Sequence, residues 1–139
     1  MKVRDAMHDG VEWVTADTLV TEIAKLMCDK DVGSIPIGEN DRLVGMVTDR
    51  DIVCTGLARA GFDPHGATAR DVMSEGIHCC GEDDELELAV NHMRKLKVRR
   101  LPVVNEQKRL VGMLSLGDIS HAAPEEMVSD YAEAVSAHH

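Results

Sequence analysis

The feature that most limits the fold of this chain is internal repetition. "RLVGMVTDRDIV" (Arg42–Val53) returns as "RLVGMLSLGDIS" (Arg109–Ser120). A shift of 66 residues lays Val3–Ile37 over Ala69–Val103. Arg4, Asp5, Met7, Gly10, Asp17, Met27, Val32 and Pro36 then meet identical partners at Arg70, Asp71, Met73, Gly76, Asp83, Met93, Val98 and Pro102. One extra residue in a turn of the second copy raises the shift to 67 from there on. Two copies are too few for a solenoid, which needs at least about three stacked units. They suit a pseudo-symmetric pair in which each half covers the other's apolar face. The 139 residues suffice for one compact domain or two small units sharing a core.

Each copy has the same grammar. A short "RDxM" segment leads in, and a brief strand is expected near Glu12–Val14 and His78–Cys80. A helix follows. Val20, Ile23, Ala24 and Met27 fall on one helical face, as do Leu86, Ala89, Val90 and Met93. Asp17 or Thr18 is the expected cap of the first helix. Asp83, Asp84 and Glu85 supply an acidic first turn to its counterpart. Next come the strand "SIPI" or "RLPVV", a polar turn, the strand "LVGMVT" or "LVGMLS", and a second helix from Asp49 or Leu116. The expected fold is thus α+β, two tandem β-α-β-β-α units, with Val44, Met46, Val111 and Met113 buried. The boundaries read as repeat 3–55, linker 56–68, repeat 69–121 and a helical tail 122–139. In the tail, Pro124 suits a first helical position, and Val128, Tyr131, Ala132 and Val135 form an apolar stripe.

Charge and composition exclude several partners. Fifteen basic against 25 acidic residues give a net charge of −10, which disfavours a nucleic-acid backbone or an anionic membrane as the main partner. No run is long and apolar enough to span a bilayer, and the N-terminal residues lack a signal-peptide core, so the expected compartment is the cytoplasm. Aromatic residues make up 2% of the chain, so the core must be aliphatic and methionine-rich. The four cysteines do not make a disulfide framework. Cys28 reads as a small buried apolar residue on its helix. "HCC" (His78–Cys80) invites a metal reading, but two ligands from one strand are not a site, and no C-x-x-C spacing occurs. No metal ligand set and no catalytic residue is nominated. The closing "SAHH" could be a purification-tag stub, so His138 and His139 carry no functional weight.

Thr48-Asp49-Arg50-Asp51 and Ser115-Leu116-Gly117-Asp118 stand where a strand passes into a helix. The T/S-x-x-D spacing is a capping-box pattern, and both pairs are accounted for if they only cap helices. The same turn can serve a ligand. Its free N–H groups favour an anion, and a carboxylate beside them can accept both hydroxyls of a ribose, as in dinucleotide-binding domains.

The "RDxM" openings, "SIPI/RLPVV" strands and "LVGMVT/LVGMLS…DI" endings, repeated in order from about Val3 to Ser120, resemble a pair of CBS domains, the Bateman module, of the small stand-alone bacterial kind. That resemblance implies a non-catalytic regulatory module for an adenosine-containing ligand: AMP, ADP, ATP, S-adenosylmethionine or NAD. It requires no cofactor. By match to the family's motifs, Thr48 with Asp51 and Ser115 with Asp118 would hold ribose and phosphate. Ile35, Pro36 and Ile37, matching Leu101, Pro102 and Val103, would hold the adenine. Arg99 and Arg100 would reach phosphate. The copies differ here. The first has Gly33-Ser34 opposite Arg99-Arg100, and Arg50 opposite Gly117. One well-formed site at Thr48, Arg50 and Asp51 is therefore expected, with Arg99 or Arg100 reaching its phosphate and the second site weak or empty. The resemblance also implies a homodimer that signals to an effector protein in trans. The alternatives are a stress-related structural or partner-binding protein without nucleotide affinity, and a metal-binding or redox-responsive module.

Overall fold

In the computed structural model, which describes residues 1–74 and 78–122, the chain forms two units that cut across the repeat. One is Met1–Val11 together with the residues from His78 onward; the other is Glu12–Ile77. They are called here the second-copy unit and the first-copy unit, after the repeat that supplies most of each. In both, the "RDxM" lead-in of one copy is built into the unit of the other.

In chain order, a 3₁₀ turn (Val3–Asp5) precedes β1 (His8–Asp9), α1 (Val20–Lys30), β2 (Ser34–Glu39), β3 (Arg42–Thr48) and a π-helical segment (Asp51–Leu57). Then follow α2 (Ala69–Val72), β4 (Cys80–Gly81), α3 (Leu86–Leu96), β5 (Arg100–Val104), β6 (Leu110–Ser115) and α4 (Leu116–Ala122). The tail stripe of Val128, Tyr131, Ala132 and Val135 lies outside the described residues.

The second-copy unit holds a four-stranded sheet in the order β1-β6-β5-β4. β1 and β5 are antiparallel to β6, and β4 is parallel to β5. Leu86, Ala89, Val90 and Met93 of α3 pack on Leu101, Val103 and Leu114 of the sheet, with Val3 of the lead-in and Ile119 of α4 closing the core. In the first-copy unit β2 and β3 form an antiparallel hairpin. Its two-residue turn, Asn40-Asp41, has both φ angles positive (52° and 66°), the conformation that suits the twist of a tight hairpin. Val20, Ile23 and Met27 of α1 pack there on Ile35, Ile37 and Val47, with Ala69 and Val72 of the second lead-in. The α+β pair of repeats is therefore as expected.

The glycine of each "LVGM" explains how a lead-in fits. Gly112 pairs with Asp9 across the β1–β6 ladder, and a Cβ there would overlap the His8 carbonyl oxygen. A Cβ on Gly45 would stand 2.8 Å from the Ser74 carbonyl oxygen and 3.1 Å from Met73 Sδ. Only glycine admits backbone this close.

Several expectations are corrected. The first residue of α1 is preceded by Leu19, which makes no side-chain cap; neither Asp17 nor Thr18 caps the helix. Val20 N–H donates instead to the Ala67 carbonyl at 2.9 Å, so backbone from the second lead-in region supplies the partner. Asp17 pairs with Arg70 at 3.1 Å, and the equivalent Asp83 pairs with Arg4. The strand expected near Glu12–Val14 is a single parallel bridge, Val14 to Ile37, and that near His78–Cys80 begins only at Cys80. Val44, Met46 and Val111 are half-buried, unlike Met113; the inward face of β3 carries Leu43 and Val47, because alternate strand residues point to opposite faces. Cys28 is exposed, since it follows the inward-facing Met27 by one position and is turned away from the core.

Gly112→Ala is expected to lower unfolding stability by about 1–3 kcal/mol, the usual cost of forcing atoms into a filled space. Gly117→Ala is the control, because its Cβ would meet only Ser115 Oγ at 3.7 Å. Urea midpoints of the two variants check this.

Candidate functional site

At the end of β3 the chain turns into the next helix through Thr48–Asp51. Asp51 N–H donates to Thr48 Oγ1 at 3.0 Å, and Thr48 N–H donates to Asp51 Oδ2 at 2.9 Å. That is a complete capping box. Asp49 N–H donates to the Gly33 carbonyl at 2.9 Å, and Arg50 N–H to Asp49 Oδ1 at 2.9 Å. Thr48 and Asp51 are half-buried and Arg50 is exposed. Asp51 Oδ1 makes no hydrogen bond among the described residues.

The second turn repeats the box. Asp118 N–H donates to Ser115 Oγ at 3.2 Å, and Ser115 N–H to Asp118 Oδ2 at 2.9 Å. Leu116 N–H donates to the Arg99 carbonyl at 3.0 Å, as Asp49 does to Gly33. Asp118 differs from Asp51 in two ways. It is buried, and its Oδ1 lies 3.0 Å from His8 Nδ1. His8 carried no signal in the sequence, since only the β1–β6 pairing brings it to the turn.

The remaining candidates separate. Ile35 and Ile37, and likewise Leu101 and Val103, point into the cores of their units. Pro36 and Pro102 are also buried, on the opposite strand face. Arg100 sits opposite Ser115 in the β5–β6 ladder, and Arg99 is exposed beside it. The structure thus brings Arg99, Arg100, Ser115 and Asp118 together in one unit, and Thr48, Arg50 and Asp51 in the other.

The "HCC" segment is divided by burial. Cys80 belongs to the core; burial, helped by Asp84 and Cys79, pushes its thiol up to about 12. Burial also raises Cys79, with Asp84 adding and Lys108 opposing. The His78 and His92 rings stand 6.0 Å apart. Among the described residues no three His, Cys, Asp or Glu side chains converge as a metal site, and no helix is long and apolar enough to cross a membrane.

Two repeated strand-to-helix turns, each with a hydroxyl and a carboxylate locked together, mark the chain as a pair of related domains. The CBS-domain family matches residues 3–55 and 69–125, and the chain belongs to that family. It is 40% identical over 133 residues to hypoxic response protein 1 of Mycobacterium tuberculosis, covering 95% of this chain and 92% of that protein. A crystal structure of hypoxic response protein I with two coordinated zinc ions superimposes with a TM-score of 0.80, at 41% identity, over 89% of this chain and all of that one. CBSX2 in complex with AMP superimposes with a TM-score of 0.77, at 28% identity, over 87% of this chain and 94% of that one. No catalytic family is indicated.

Thiol chemistry should follow this burial. At mildly alkaline pH an alkylating reagent is expected to label the exposed Cys28 and Cys54 first and Cys80 last, read by peptide mass spectrometry. Protonated Cys80 favours the folded state fully below the ordinary thiol pKa of 9.0, and that contribution is lost as pH rises toward about 12. Cys80→Val should therefore flatten the fall in urea midpoint across this alkaline window.

Proposed function

We propose that this chain is a non-catalytic sensor of an adenosine-containing ligand, drawn from AMP, ADP, ATP, S-adenosylmethionine and NAD. The observation that carries the reading is Asp51. One carboxylate oxygen fixes the turn and the other has no partner among the described residues, with the Thr48 hydroxyl and Arg50 in the same turn. A ribose offers two adjacent hydroxyl donors to such an acceptor. Arg50, exposed in the same turn, would meet phosphate. Ser115–Asp118 is the second, weaker candidate, with Arg99 and Arg100 as its basic neighbours. Ile35, Ile37, Leu101 and Val103, with side chains in the cores, can reach adenine only through their backbone. Pro36 and Pro102 lie on the other face of their strands. The AMP complex of CBSX2 supports this ligand class.

Binding would shift a population of conformers that a partner protein reads, with no chemistry by the chain itself. In this reading the protein is a cytoplasmic homodimer. Exposed Val53 and Leu57 on the 51–57 helix offer apolar area for self-association. Sedimentation at tens of micromolar is expected to give a dimer, on the order of a concentration where micromolar association is populated.

Calorimetric titration with AMP, ATP, S-adenosylmethionine and NAD tests the ligand. Asp51→Asn keeps a capping acceptor but loses the charge. A hydrogen bond to a charged group is worth roughly 1.5–3 kcal/mol, so affinity should fall about ten- to a hundredfold. Asp118→Asn should have the smaller effect. No binding by wild type would assign the repeated turns to packing alone.

A further inference from the structure

The two turns are chemically alike and differently occupied. Asp118 has 5% of its side chain exposed, and both its oxygens are engaged: Oδ2 by Ser115 N–H and Oδ1 by His8 Nδ1. A carboxylate buried to this degree must be hydrogen-bonded or paired, because an unsatisfied buried charge is strongly destabilising. His8 itself is 70% exposed, on a two-residue strand at the edge of its sheet. From that edge it reaches inward to the buried Asp118 oxygen, which it covers at 3.0 Å.

The equivalent place in the first-copy unit holds a different residue. His8 pairs with Met113 on β6, and Ser74 pairs with Met46 on β3. The two positions are thus the same register point of the two units. The Ser74 hydroxyl is turned to the backbone instead and donates to the Met46 carbonyl at 3.4 Å.

Resting on the ligand reading above, we propose that His8 is a built-in stopper of the second turn. Its imidazole holds the Asp118 oxygen that a ribose would need, so the chain takes one adenosine ligand, at Thr48–Asp51. The residue at this single register point, histidine or serine, decides whether a turn is open.

The test is calorimetric titration of the full chain with AMP at one fixed pH, comparing wild type, His8→Ser, His8→Ser with Asp118→Asn, and Ser74→His. Wild type should bind one AMP per chain. His8→Ser should bind two, and adding Asp118→Asn should return the number to one. Ser74→His should weaken the first site by about tenfold or more, the effect of losing roughly one charged hydrogen bond. Two AMP per wild-type chain, or one per His8→Ser chain with unchanged affinity in Ser74→His, would overturn the stopper. In that second case an Asp51-dependent wild-type site would leave the ligand reading standing. No AMP binding by any of the four proteins would overturn both.

Discussion

The rest of this structure depends on a close backbone approach. The lead-in of each copy lies against the third strand of the other, and the glycine of each "LVGM" makes room for it. A methyl group at Gly112 would collide with the main chain of β1. Because the lead-in carries Val3 or Ala69 into a core made mainly by the other copy, neither repeat completes its own interior. Apolar burial is the dominant favourable term in folding, so the crossing joins the stability of each unit to residues far away in sequence. The repeated ion pairs, Arg4 with Asp83 and Arg70 with Asp17, mark the same exchange at the surface, where such pairs add little on their own.

The crossing also sets the chemistry of the turns. Each capping box is local, made by residues three apart, and would form wherever a strand met a helix in this way. What faces the box is not local. β1 brings His8 to Asp118, whereas the segment after α2 brings Ser74 alongside Met46. Two turns of nearly the same sequence thereby acquire different electrostatic surroundings. One carboxylate is buried and paired through both oxygens; the other is half-buried, with one oxygen uncommitted among the described residues. Capping at Asp51 engages one oxygen of the carboxylate, so it does not compete with the ligand contact proposed for the other.

The sequence by itself determined the repeat, the α+β order of elements, the helix faces that form the cores and the two T/S-x-x-D boxes. All of these rest on short-range rules: a period of 3.6 or 2, or a hydroxyl and a carboxylate three residues apart. Tertiary structure decided the rest. It replaced the expected cap at Asp17 or Thr18 by a backbone bond from Ala67, because the donors of α1 face a segment almost fifty positions away. It turned Ile35, Ile37, Leu101 and Val103 into their cores and placed Arg100 opposite Ser115. It also brought His8 to Asp118, a pairing with no sequence period behind it. Strand partners are chosen by long-range contacts, and no local pattern records which chain segment will fill the space beside a glycine.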